Sequence, residues 1–311
     1  MQERHRNRKL YFDEQAYTTE KYVIPFIEQW GGVSVGAVSS DTGMVGSDAG
    51  ADGGSDTGSI SSDTRMVSSD RRTDGGKPLD MRVLEIGCGE GGNLKPFLDR
   101  GCVCTGVDLN GPQIERAKEF FAGHPHEDQL TLLHADIYDV PPDENQYDII
   151  MLRDVIEHIH NQERLMHILP QFLKPHGVMF FAFPPWMMPF GGHQQICRSR
   201  LSKVPYIHLL PRRWYGRLLH RFGESDKCIE ELQEIKETGI TIERWERILR
   251  TEQLPILRRE LYFINPNYEV KFGLRPRRSL PVFRNIPYLR DYYVTAAYYL
   301  IGGVCGNEDR V

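Results

Sequence analysis

The sequence predicts an α/β fold: a doubly wound, mostly parallel sheet with helices on both faces and an antiparallel strand pair at its C-terminal end. Three observations predict it. First, a short apolar run of Val83, Leu84 and Ile86 stops at a cluster of glycines, and apolar residues at helical spacing follow. Second, strand-like and helix-like runs alternate from residue 102 to residue 183, the rhythm of a parallel sheet with crossover helices. Third, two last strand-like runs have no strong helix pattern between them, which suggests antiparallel neighbours.

The elements follow in order. Residues 11–31 place Tyr17, Tyr22, Val23, Phe26, Ile27 and Trp30 at amphipathic helical spacing, so residues 1–31 form an N-terminal helical cap. Residues 32–77 are almost wholly Gly, Ser, Asp, Thr, Ala and Val, and Ser39-Ser-Asp-Thr-Gly-Met-Val45 recurs as Ser61-Ser-Asp-Thr-Arg-Met-Val67. No apolar periodicity there offsets the entropy of ordering, so this is a disordered low-complexity insertion. Its aspartates do not have the spacing of an EF-hand. The main domain spans residues 78–311. Its first strand ends at Ile86, and strands at 102–108, 130–134, 147–152 and 178–183 follow. Helices fill 111–121, with Pro112 in the first turn, and about 162–173. Residues 184–239 break the rhythm and read as a lid insertion rich in Trp, Met and Phe. A helix at about 241–254 and strands at 259–264 and 292–301 complete the domain.

Composition narrows the class. At 311 residues the chain holds one sizeable core with insertions or two small domains, and a net charge of -5 gives no whole-chain signal for nucleic acid. The start, Met1-Gln-Glu-Arg-His-Arg-Asn-Arg-Lys9, is charged, and no signal-type apolar run follows it. The longest apolar run, 292–305, is too short and interrupted to span a bilayer. The six cysteines lack metal-ligand spacing; Cys102 and Cys104 alternate on one strand and read as small core residues. These features favour the cytoplasm and no metal.

The glycine cluster carries the chemistry. Strand, glycine turn and helix bring backbone N–H groups close to a ligand. Gly87-x-Gly89-x-x-Gly92 fits the dinucleotide fingerprint. Glu85 argues for a different ligand, because a carboxylate two places before the first glycine would repel a pyrophosphate and suits a cationic ligand. Glu85-x-Gly87-x-Gly89-x-Gly91 resembles motif I of the class I S-adenosylmethionine (SAM)-dependent methyltransferases. The resemblance covers about residues 17–183 and, more loosely, the C-terminal strands. It implies a Rossmann-like seven-stranded sheet, SAM as cofactor and S-adenosylhomocysteine as product. In that family a leading helix often closes over the cofactor; in this sequence the helix at 11–31 could equally cover a sheet edge.

Residue by residue, the resemblance places Gly87, Cys88 and Gly89 against the methionine and ribose portion. It gives Glu85 the methionyl ammonium, partly through the loop. Asp108 ends the second strand, where an acid accepts hydrogen bonds from ribose hydroxyls, with Leu109 beside it. Asp136 and Ile137 fall at the adenine position, and Arg153, followed by Asp154, borders the methionine end. Each of these could instead be a strand-terminal polar residue capping the next helix.

On the acceptor side the candidates are His158 and His193. Asp154-Val-Ile-Glu-His158 resembles the segment after the fourth strand in small-molecule methyltransferases, but Glu157 and His158 are neighbours and do not face each other on a regular helix. Phe190-Gly-Gly-His-Gln-Gln195 permits a sharp turn after the fifth strand and presents His193. Phe183-Pro-Pro-Trp186 lacks the leading acid or amide of the amine methyltransferase motif, and it follows the wrong strand.

Arg198, Arg200, Lys203, Arg212, Arg213, Arg217 and Arg221 fall in a stretch without acids. Lys271, Arg275, Arg277, Arg278, Arg284 and Arg290 form a second basic stretch. Together they suit an anionic or amphiphilic small-molecule acceptor or a peripheral contact with an anionic membrane, and no RNA module accompanies them. The expected activity is methyl transfer from SAM to an oxygen, nitrogen or carbon nucleophile of a small molecule. A NAD(P)-binding oxidoreductase or epimerase and an inactive SAM-binding protein are the alternatives. Glu85, the missing Tyr-x-x-x-Lys pair and the terminal strands count against the first.

Overall fold

The computed structural model describes residues 7–36, 81–142 and 146–303. The low-complexity repeats therefore lie outside the described residues. An eight-stranded sheet runs in the order β3-β2-β1-β4-β5-β8-β6-β7. Its strands are β1 (Arg82–Ile86), β2 (Val103–Asp108), β3 (Leu130–His134), β4 (Tyr147–Arg153), β5 (Leu173–Phe183), β6 (Ile256–Ile264), β7 (Arg277–Arg278) and β8 (Ala296–Gly302). The first five pair in parallel, and β8 inserts antiparallel between β5 and β6. The expected strands are present. The eighth, against seven expected, is the two-residue β7, which pairs with Tyr262 and Ile264 at the edge of β6.

The central strands are apolar on both faces because both faces are covered. Alternation sends Val83, Met151, Phe180 and Tyr298 into one core and Leu84, Leu152, Phe181 and Tyr299 into the other. The first core is closed by α1 (Arg8–Thr18), α2 (Ile24–Gly31), α3 (Lys95–Leu98) and α4 (Gly111–Phe121), which contribute Phe12, Phe26, Phe97 and Phe121. The second is closed by α5 (Gln162–Ile168) and α8 (Ile242–Thr251). Trp245 of α8 packs its ring 4.7 Å from Phe181 and 5.6 Å from Phe183. Cys102 and Cys104 are buried core residues, as their alternation predicts.

Three departures from regularity interrupt this pattern. Between α1 and α2 the chain makes a π-helical turn, Thr19–Val23, so the amphipathic run is two helices with a bulge rather than one. Pro175-His-Gly177 does not precede β5 but bulges from it: Tyr147 faces Leu173, and Ile149 already faces Val178. Residues 184–239 hold α6 (Arg212–Arg221) and α7 (Asp226–Thr238) and bury a third core of Cys197, Leu201, Tyr215, Leu219, Ile229 and Leu232. That insertion leaves and rejoins the sheet at one place, where Trp186 N–H donates to Ile240 O at 2.8 Å.

Candidate functional site

A cleft of about 630 Å³ opens at the carboxyl ends of β1, β2, β3 and β4, where ligands bind in such sheets. Of the residues read from the sequence, Gly87, Gly89, Asp108, Leu109, Asp136, Ile137, Arg153 and His158 all line it. Glu85, Cys88 and His193 do not line it; they stand behind its wall. A separate cavity of about 320 Å³ lies along β6 near Arg284, away from these strand ends.

The floor is the glycine turn. Gly87 and Gly89 have φ of +70° and +55°, the left-handed region that side chains disfavour. A Cβ on Gly87 would come 2.5 Å from Val155, and one on Gly89 would come 2.8 Å from Gln113 Oε1. The turn is tied to β2 by Gly87 N–H and Cys88 N–H, both donating to Val107 O. The Cys88 side chain is 1% exposed, and burial raises its thiol pKa well above the ordinary value. Its Sγ stays within the turn, 3.9 Å from Gly89 O.

Asp108 holds two loops together. Its Oδ2 accepts from Gly89 N–H at 2.8 Å and its Oδ1 from Asn110 N–H at 2.7 Å. It does not cap α4; Asn110 does, accepting from Gln113 N–H. Each carboxylate oxygen keeps a second lone pair for a ligand hydroxyl. Leu109 stands 70% exposed at the rim. Asp136 Oδ1 caps the following turn, accepting from Tyr138 N–H at 3.0 Å, and the residue lines the cleft beside buried Ile137.

Behind the floor lies a buried polar chain. Glu85 is fully buried, and its Oε1 accepts from Asn93 Nδ2 at 2.7 Å. Asn93 Oδ1 accepts from Arg153 Nη1 at 2.7 Å and from the Thr19 hydroxyl at 3.0 Å. Arg153 also donates to Asn267 Oδ1 and, from Nη1, to Gln15 O at 3.4 Å. Burial pushes the Glu85 carboxyl up to about 8, while the Asn93 hydrogen bond and the Arg153 charge pull it down. Its Oε2 has no hydrogen-bond partner. Tyr11 and Gln15 of α1 line the cleft, and the N-terminal helices pack over one face of the sheet.

The two candidate histidines gather at the other end. The segment Ile156–His158 is a single 3-10 turn rather than part of a regular helix. His158 Nε2 stands 4.0 Å from Glu157 Oε1. The His158 and His193 rings, 35 positions apart in sequence, meet edge to face with centroids 4.9 Å apart. Burial lowers both imidazole pKa values, that of His193 to about 4, aided by the charges of His158 and His208. The Tyr206 hydroxyl, within the first basic stretch, donates to Tyr292 O, just after the second, at 3.3 Å. Arg290 is not part of that basic surface: it is buried and paired with Glu243 and Glu246.

Several lining residues carried no signal in the sequence. Tyr11, Gln15 and Glu234 reach the cleft from distant segments, and Asn93 matters only through its partners. Asn110 was findable, since Asn before Gly-Pro at a helix start is a capping pattern.

The Glu85 environment gives a stability test. A carboxyl whose folded pKa lies above its unfolded one binds more protons folded than unfolded between the two values, so its contribution to stability falls as pH rises from about 4.5 to about 8. Glu85→Gln keeps the acceptor for Asn93 and removes the charge. The variant is expected to melt several degrees above the parent at pH 8 and at the same temperature at pH 4, by thermal circular dichroism. A pH-independent difference would contradict the buried, proton-linked carboxyl.

Comparison with known proteins agrees with the geometry. A family model described as a methyltransferase domain matches residues 67–224, half of the chain. The ubiquinone biosynthesis O-methyltransferase of Coxiella burnetii (strain Dugway 5J108-111) is 30% identical over 102 residues, covering 32% of this chain and 42% of that protein. The protein of the same name from Azoarcus sp. (strain BH72) is 30% identical over 103 residues, covering 32% and 43%. The chain thus spans less than half the length of the curated relatives it matches. Among solved structures, the geranyl diphosphate C-methyltransferase of Streptomyces coelicolor A3(2) superposes with a TM-score of 0.47 at 15% identity, covering 72% of this chain and 73% of that one. With that family model matching half its length, this chain belongs to the methyltransferase-domain family.

Proposed function

We propose that this protein is a SAM-dependent methyltransferase acting on a small-molecule acceptor. The observation that carries the reading is the single cleft into which the ends of β1, β2, β3 and β4 bring Gly87, Gly89, Asp108, Asp136 and Arg153. Its volume, about 630 Å³, is in the range of cofactor-sized sites. SAM, when bound, supplies a sulfonium-linked methyl group that a nucleophile takes by in-line displacement.

The chain's own residues bind, orient and exclude water. The open glycine turn lets backbone approach the ligand where a side chain would clash. Asp108, held from two sides by N–H donors, offers its free lone pairs to a ribose diol. Ile137 and Leu109 offer apolar surface to adenine, with the Asp136 carboxylate at its edge. Glu85 acts at one remove, by fixing Asn93 and through it Arg153. Tyr11 and Gln15 close the cleft from above. Such a site works by proximity, orientation and desolvation. His158 on the wall and His193 behind it are the residues proposed for the acceptor side, and residues 184–239 are proposed as the lid that sets specificity. We place this activity in the cytoplasm; among the described residues no helix is long and apolar enough to cross a membrane.

The surface favours an anionic or amphiphilic acceptor. Leu280, Val282 and Tyr288 are 64%, 70% and 68% exposed, and exposed Arg277, Arg278 and Arg284 accompany them. The same combination suits peripheral contact with an anionic bilayer. Co-sedimentation is expected with vesicles containing phosphatidylglycerol, released by salt and absent with phosphatidylcholine alone. Equal binding to both, or to neither, would contradict that contact.

Calorimetry tests the cofactor reading. S-adenosylhomocysteine is expected to bind the full chain, and NADH is not. Asp108→Ala, which removes a charged hydrogen-bond acceptor, should weaken binding about 10–100-fold. NADH binding in place of S-adenosylhomocysteine would overturn the reading. Binding without methyl transfer to any component of a small-molecule extract would identify the inactive alternative.

A further inference from the structure

Glu157, His158 and His193 present a cluster that the cofactor reading does not use. One ligand-type atom from each lies within 4.8 Å of the other two. Glu157 is 2% exposed, and neither of its carboxylate oxygens has a hydrogen-bond partner. A buried carboxylate without donors is costly, so the group calls for a positive partner. The backbone around it is already fixed. Glu157 O accepts from the Thr238 hydroxyl at 2.6 Å, and His193 N–H donates to Phe190 O at 3.1 Å. The next residue, Gln194, ties the turn down through Nε2 to Pro189 O and Val204 O. His193 is held at φ +54°, a left-handed conformation that costs energy in a residue other than glycine and collects at functional sites.

We propose that Glu157, His158 and His193 form a binding site for one divalent transition-metal ion of the zinc class, on the acceptor wall of the cleft. Two imidazoles and one carboxylate are the donor set that such ions favour, and three protein ligands leave a coordination position open. Donors around a bound ion of this kind stand roughly 3–3.5 Å apart. The separation within 4.8 Å therefore closes by modest side-chain movements, for which His158, with a 42% exposed side chain, has room. His158 lines the cleft, so the ion would sit at its wall with its open position toward an acceptor oxygen. That use of the ion rests on the cleft being a methyl-transfer site; its binding does not. A second cluster, Cys197, Glu224 and Cys228, has comparable spacing, but its carboxylate is satisfied by Arg198 N–H and Ser199 N–H.

The test uses the full chain stripped of metal by chelator and dialysis. Zn²⁺ is titrated by calorimetry and Co²⁺ by visible absorption, with S-adenosylhomocysteine titrated into the same samples. The expected result is one equivalent of ion, with Co²⁺ bands of low-coordinate geometry. Glu157→Gln and His193→Gln should each weaken uptake by about 100-fold or more, and Cys228→Ser should leave it unchanged. His158→Gln, at an exposed side chain, repeats the test should the buried changes unfold the protein. No stoichiometric uptake, uptake indifferent to all three ligand changes, or uptake lost on Cys228→Ser would each overturn the proposal. Cofactor binding with no metal uptake defeats the metal site alone. Metal uptake without S-adenosylhomocysteine binding defeats the cofactor reading alone.

Discussion

The site depends on a buried carboxylate that meets only one hydrogen-bond donor. Glu85 sits fully buried beneath the glycine turn, and Asn93 connects it to Arg153 and Thr19. Four separate pieces of chain meet in that network: β1, the loop after it, the end of β4 and the N-terminal helical segment. Removing any member would leave charged or polar groups buried without partners, which costs more than the hydrogen bonds themselves contribute. Thr19, which joins this network, is the first residue of the π-helical turn that follows α1. The fold therefore couples the shape of the cleft floor to the docking of the helices above it.

That coupling extends through α9 (Asn267–Phe272), which follows β6. Arg153 reaches Asn267, while Glu269 of the same helix receives Lys21, at 3.0 Å, and the Tyr22 hydroxyl. The N-terminal segment is thus held from below by the polar network and from the side by the C-terminal half. Exposed ion pairs of this kind contribute little each. Their value lies in setting where Tyr11 and Gln15 stand over the cleft.

Much of this was legible in the sequence. The apolar runs located β2, β3 and β4 to within a residue; β1, β2 and β4 are buried along most of their length and read as apolar, edge strand β3 is only partly buried, and β5 begins five residues before the run at 178–183. The residues at strand ends were legible for the same topological reason: a parallel sheet brings successive carboxyl ends to one edge, and there Asp108, Asp136 and Arg153 line one cleft. Other features were not legible. The two-residue β7 has no periodicity to detect. The bulge at Pro175-His-Gly177 looks like an ordinary turn until its pairing with β4 is known. The juxtaposition of His158 with His193 depends on how residues 184–239 fold back over the sheet, which local pattern does not encode. The pairing of Arg290 with Glu243 and Glu246 likewise turns a cation that reads as surface into an interior one.

Amide hydrogen exchange with and without S-adenosylhomocysteine tests the central claim most directly, because it reports which segments a ligand orders without assuming any of them. The account predicts slowed exchange at residues 87–92, 108–113, 136–138 and 154–158, together with residues 11–15 of the helix above. Protection confined to residues 256–261 and 284–285, the separate cavity along β6, or no protection anywhere at saturating ligand, would contradict it.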